Sequence, residues 1–125
     1  MNKTNKPPQE LLRWEPSPEF DNIYLLLHRL GLTSNFPGYH YLAYGLWLCG
    51  REPERLEHVT KWLYPDIASH YCTNWHNVEH HISRMLDRMW LLQSPHLELL
   101  PGYPFPERPR PSRFLLLLSQ AAQNS

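Results

Sequence analysis

Nine positions carry the side chains in this sequence best suited to reading another molecule: Lys61, Thr73, Asn74, His76, Asn77, Glu79, His80, Ser83 and Arg84. Their chemistry matches the edges of base pairs. An Asn amide pairs with adenine, a carboxylate accepts from the cytosine amino group, an Arg forks onto guanine, and a neutral imidazole makes a single hydrogen bond. Thr73, Asn74 and His76 fall where the free N–H groups of a helix N-terminus would meet a phosphate. Base or backbone contact in a major groove is therefore one reading. The other is a solvated polar helix face, with Thr73 simply capping the helix and Glu79 orienting a neighbouring cation.

Overlapping residues suggest a second chemistry. Cys72, His76 and His80 recur every four residues, with His70 nearby and His81 adjacent. Two imidazoles at that spacing on a helix can share a zinc ion. Here Cys72 precedes the helix cap and no second cluster supplies a fourth ligand, so neither metal nor cofactor is expected. No Ser-His-Asp order, glycine-rich phosphate loop or paired-carboxylate motif occurs, and an enzyme is not expected.

Two helices must position the polar set. The first opens at Leu63 or Tyr64, with Pro65 near its first helical position, where a missing N–H costs nothing. Leu63, Ile67 and Tyr71 share one face. Cys72, Thr73 and Asn74 then break the pattern, and Thr73 is the expected N-cap of a second helix running to Trp90. Val78, Ile82, Met85 and Met89 give that helix an apolar stripe, while Asn77, His80, His81, Arg84 and Arg88 lie opposite. A short helix, a tight turn and a longer helix with a polar outer face is the pattern of a helix-turn-helix.

The rest of the chain supplies what this pair packs against. Residues 1–16 read as a flexible leader, and residues 17–125 as a single domain. Ser17-Pro18-Glu19 starts a helix that should reach Leu30 and stop at Gly31, with Ile23, Leu26, Leu27 and Leu30 inward. A turn over Thr33 to Gly38 leads to a helix from Tyr39 to Cys49, ended by Gly50, with Gly45 marking close helix contact. Glu52-Pro53-Glu54 should start a third helix with Leu56, Val59, Thr60 and Leu63 inward. Ser94-Pro95 opens a short turn through Leu99. Pro101 to Pro111 must be an extended, stiff loop carrying Arg108 and Arg110, which with Lys61 either flank a duplex or simply solubilise the chain, and a last buried helix runs from Ser112 to about Gln123. The expected class is all-α: a compact six-helix bundle containing a helix-turn-helix.

Composition bounds the function. The chain has 125 residues, 42% of them hydrophobic, with five Trp and seven Tyr, which is enough for one packed core. Twelve basic and twelve acidic residues cancel. A basic surface is the usual footprint of a nucleic-acid binder, so neutrality predicts modest binding resting on few cations. Eight His can add positive charge a little below neutral pH. Cys49 and Cys72 form no redox or metal motif and read as reduced thiols of a cytoplasmic protein. No signal peptide or membrane-spanning run is visible.

The segments PGYHYLAYGLWL, VTKWLYPDIASHY and VEHHISRMLDRMW, with a later GYPFPERPRPSRF, resemble the C-terminal effector domain of the stage-zero sporulation protein A family of bacterial response regulators. The resemblance runs from about Pro18 to Ala122. LYPDIA followed by a helix ending in Trp is the specific part. The resemblance implies a six-helix fold whose helix-turn-helix binds a short DNA box, often as tandem domains along the duplex. Where that family presents arginines to base edges, this chain has Asn77, His80 and Ser83, while Glu79 keeps the family's residue. The receiver domain that precedes the fold in that family has no counterpart in the leader, so control by phosphorylation is not expected. The resemblance thus implies a sequence-specific DNA-binding transcriptional regulator. Its partner would be double-stranded DNA, with self-association in tandem on it, and no membrane or small-molecule substrate. The alternative is a relative that has lost operator binding and serves as a protein-interaction module.

Overall fold

The computed structural model describes residues 18–124; the expected leader and the Ser17 cap lie outside that range. Helix α1 spans Pro18–Arg29. It ends where Gly31 takes φ +84. There the Leu32 N–H donates to the Leu27 carbonyl and the Gly31 N–H to that of His28, both at 2.9 Å. This is the Schellman way of closing a helix, and it favours a residue without Cβ at the left-handed position. Ile23, Leu26, Leu27 and Leu30 are all buried, as their spacing predicts.

Helix α2 spans Tyr39–Arg51. The end expected at Gly50 is overturned: the helix runs one residue further, and Glu52 caps it with its N–H on the Leu48 carbonyl. Gly50 lies inside the helix, where a Cβ would come within 3.1 Å of the Gln123 side chain. Gly45 does mark a close contact, since a Cβ there would sit 2.9 Å from Ile67 Cδ1.

The continuous helix expected from Glu52 does not form. A 3₁₀ turn at Pro53–Glu57 and a single α-helical turn at Val59–Trp62 replace it. Glu52 and His58 are non-helical, with φ −138 and −155. Each breaks the register, so the stripe Leu56, Val59, Thr60, Leu63 never becomes one face. Leu63 is buried, Leu56 and Val59 are half-buried and Thr60 is exposed. Arg55 knots this segment. Its guanidinium donates to Glu52 at 2.7 Å, to the Trp62 carbonyl at 2.5 Å and to Asp66.

Helix α3 spans Tyr64–His70, with Pro65 in its first turn. Helix α4 spans Trp75–Leu91. Helix α5 spans Pro111–Gln123 and buries Phe114, Leu115, Leu117 and Leu118. Between α4 and α5 lie a 3₁₀ turn at Leu97–Leu99 and the expected proline-rich stretch, which holds no helix or strand from Tyr103 to Arg110. The described residues are thus all-α, with five helices of about two turns or more where six were expected. The sixth is reduced to the Val59–Trp62 turn. Helices α1, α2 and α5 pack on one another, and α3 and α4 close against α2. One continuous core joins them all. Among the described residues no helix is long and apolar enough to cross a membrane.

Candidate nucleic-acid interface

Four residues, Tyr71 to Asn74, join α3 to α4. Cys72 makes the turn by taking φ +59. The Thr73 N–H donates to the Ala68 carbonyl at 2.9 Å and the Cys72 N–H to that of Ser69 at 3.4 Å. This repeats the Schellman closure of α1, but with a Cβ-bearing residue in the left-handed position. The expected N-cap, Thr73, is corrected to Asn74, whose side chain accepts from the Asn77 N–H at 2.9 Å. Either residue type caps well; the Schellman bond uses Thr73 to close α3, which leaves the next residue to open α4.

Val78, Ile82, Met85, Leu86 and Met89 bury the inner face of α4. Its outer face carries His76, His80, Arg84 and Arg88, all exposed. Each is four residues from the next, so they form a ridge about 18 Å long at 1.5 Å per residue. Duplex DNA's major groove, about 12 Å wide, accepts a helix presented this way.

The nine residues singled out from the sequence do not form one surface. His80 and Arg84 stand on the ridge. His76 does too, its ring stacked on Trp75 at 3.8 Å. Trp75 itself is half-buried against the core. Asn77 is half-buried and tied inward: its amide nitrogen donates to the Tyr41 hydroxyl and to the Thr73 hydroxyl, each at 3.1 Å. Both its N–H groups are therefore spent inside the protein, and only its oxygen is left for another partner. Ser83 is half-buried on the flank. Glu79 is half-buried and close to Tyr64 of α3. Burial first, then the nearby charges of Glu79 and Cys49, push the Tyr64 phenol up to about 12. Lys61 stands apart, beside a hollow it shares with Glu52, Glu54, Arg55, Trp62 and Asp66. Its charge sits among carboxylates rather than on the ridge.

Of the side chains weighed as metal ligands, His76 and His80 share the ridge, but His70 and His81 turn away from them. His70 stacks on Tyr44 at 4.0 Å, and His81 leans toward Tyr41, 6.1 Å between ring centres. Among the described residues no group of three or more His, Cys, Asp or Glu side chains converges.

Three neighbours of the ridge were not visible in the sequence. The turn before α2 presses on α4: Gly38, at φ +92, sits so close that a Cβ would come within 2.9 Å of the His81 carbonyl oxygen and Cβ. That turn places Phe36 under Arg88, with the guanidinium 4.4 Å from the ring centre, and opens a cleft of about 270 Å³ lined by Phe36, Pro37, His80, His81, Arg84 and Arg88. The proline-rich segment docks on the far end of α4, where Arg108 pairs with Asp87 and Phe105 lies 6.5 Å from Trp90. It leaves the ridge itself exposed. Tyr41 is the third neighbour, 36 residues from the Asn77 it holds. No local signal could have joined these pairs, because each bridges distant parts of the chain.

The chain matches one known family over most of its length. A family model described as "Sporulation initiation factor Spo0A C terminal" covers residues 23–121. That family comprises DNA-binding effector domains and is not a class of enzymes.

Proposed function

This chain belongs to the Spo0A C-terminal family of the sporulation initiation factor, and from that membership we propose a sequence-specific transcriptional regulator that lays α4 in the major groove. The observation that carries the proposal is the ridge. Four nitrogen-bearing side chains, His76, His80, Arg84 and Arg88, face outward from a helix whose other face is sunk in the core. In this reading Arg84 makes the bidentate guanine contact and His80 a single hydrogen bond to a base edge. Thr73, Asn74 and His76 approach the backbone at the start of α4, where unpaired N–H groups favour phosphate. Glu79 and Ser83 line the flank. Asn77 supports the turn rather than reading adenine. Tandem copies along one duplex would give the added affinity that so few cations cannot supply singly.

Selection from a pool of random duplexes tests this. The chain is expected to enrich one short motif, with His80→Ala and Arg84→Ala each weakening binding to it about 5–150-fold, the range of one lost base contact worth ~1–3 kcal/mol. A pool that stays unenriched, with both variants binding as the parent does, would overturn the proposal. One observation favours a second reading. Leu91 and Leu92, at the end of α4, are 76% and 63% exposed, and exposed apolar side chains beside a polar helix suit a protein partner. On that reading selection enriches nothing, and Leu91→Ser changes what the chain associates with.

A further inference from the structure

We propose that Arg108 is part of the DNA-binding machinery: it cancels the charge of Asp87 on the groove-facing side of α4. The inference rests on the reading above that α4 enters the groove. At 100° per residue, Asp87 falls between His76 and His80 around the helix, so its carboxylate shares the outward face with the ridge rather than the buried stripe. Along the helix it lies within one turn of both Arg84 and Arg88. It is half-exposed, its side chain at 44%. A carboxylate there would face the phosphates that the two arginines must attract.

Arg108 removes that opposition from a distant part of the sequence. Its Nη1 pairs with Asp87 Oδ1. The loop that carries it is held in place by Phe105 against Trp90 and is stiffened by Pro104, Pro106 and Pro109. The Nε of the same guanidinium is buried without a hydrogen-bond partner. Without Arg108, the outward permanent charge of this half of α4 is Arg84 plus Arg88 minus Asp87, a net of one. With Arg108 it is two. In a chain whose formal charge is zero, this change is large. The proline-rich segment thus sets the potential of the recognition helix without touching a base.

The test is a charge-swap series read by fluorescence anisotropy. The parent, Arg108→Ala, Asp87→Asn and the double variant are titrated with a random-sequence duplex at several salt concentrations. Arg108→Ala is expected to weaken binding about tenfold at low salt, with the deficit shrinking as salt screens the bared carboxylate. Asp87→Asn should bind at least as tightly as the parent, and the double variant within about threefold of it. Rescue by the double variant also separates this account from simple loss of loop structure, which Asp87→Asn would not repair. Parent binding that Arg108→Ala leaves untouched overturns the proposal alone. So does a double variant as weak as Arg108→Ala. A parent that binds no duplex overturns both this proposal and the reading it rests on.

Discussion

Asn77 looks like a base reader in the sequence and a structural residue in the fold. Both of its amide protons are taken up by Tyr41 and Thr73, and its own N–H is capped by Asn74. Each bond of a half-buried amide is worth about 0.5–1.5 kcal/mol. Asn77→Ala should therefore lower stability by about 1–2 kcal/mol while changing affinity for DNA less than His80→Ala does. Denaturant unfolding and a binding titration on the same variant decide this; unchanged stability with lost binding would return Asn77 to the reading set. Cys72 shows the opposite kind of strain. It occupies a left-handed position that suits glycine, at a cost of roughly 1–2 kcal/mol for an L-residue, partly offset because glycine is floppier when unfolded. Cys72→Gly should raise stability by about 0.5–1 kcal/mol. A fall would mean that the thiol makes a contact worth more than the strain. The sequence offered Cys72 as a breaker of the helical pattern, and that was correct. It could not show that the breaker is a Schellman turn, because nothing in the residue type announces a positive φ.

Element by element, the sequence was most informative where a periodic stripe meets a clear stop. Helices α1, α4 and α5 and the buried residues of α4 follow from 3.6-residue spacing together with Gly31 and the prolines. The stretch from Glu52 to Leu63 misled because its apolar spacing fits a helix while its backbone breaks twice. Arg55, reaching forward to the Trp62 carbonyl and Asp66, holds a shape that periodicity cannot report. The placement of α4 depends just as much on a turn with no stripe at all. Gly38 combines a positive φ with contact against the His81 backbone. Gly38→Ala meets both a left-handed penalty of roughly 1–2 kcal/mol and a clash that backbone atoms cannot easily yield to. It should cost about 2–4 kcal/mol. It should also shift the amide signals of His80 and His81 more than those of α1. A loss under about 0.5 kcal/mol would mean that the turn does not buttress α4.

At the scale of the whole molecule, two groups in the core tie stability to alkaline pH. Burial pushes the Cys49 thiol up to about 12 against the weaker pull of Arg55, and the Tyr64 phenol rises to about 12 for the reasons given above. Both pKa values are higher folded than unfolded, where the references are 9.0 for the thiol and 10.0 for the phenol. Their contribution is thus complete below pH 9 and is lost as pH rises toward 12. Denaturant midpoints should fall steadily across that window, and Tyr64→Phe should flatten the fall; a midpoint that holds level to pH 11 would contradict it. Charge frames the functional claim in the same way. With Arg84 and Arg88 as the permanent cations facing outward from α4, and Arg108 offset by Asp87, only about two phosphates can be neutralised. The logarithm of the binding constant should then drop with the logarithm of salt at a slope of about −2, much shallower than for a basic DNA-binding domain. The sequence revealed the neutral charge and the family pattern. It could not reveal that Lys61 stands beside a hollow lined by Glu52, Glu54 and Asp66, or that Arg108 of the proline-rich segment pairs with Asp87 of α4.

The central claim is that the exposed side of α4 is the surface that meets DNA. Nuclear magnetic resonance of the isotopically labelled chain, titrated with duplex DNA at low salt, tests it residue by residue. Perturbations should concentrate on His76, His80, Arg84 and Arg88, with Thr73 and Asn74 at the start of α4 shifting beside them and the inward-tied Asn77 responding less. Signals that move only at Leu91, Leu92 or the Pro53–Trp62 stretch, or that do not move at all, would contradict it.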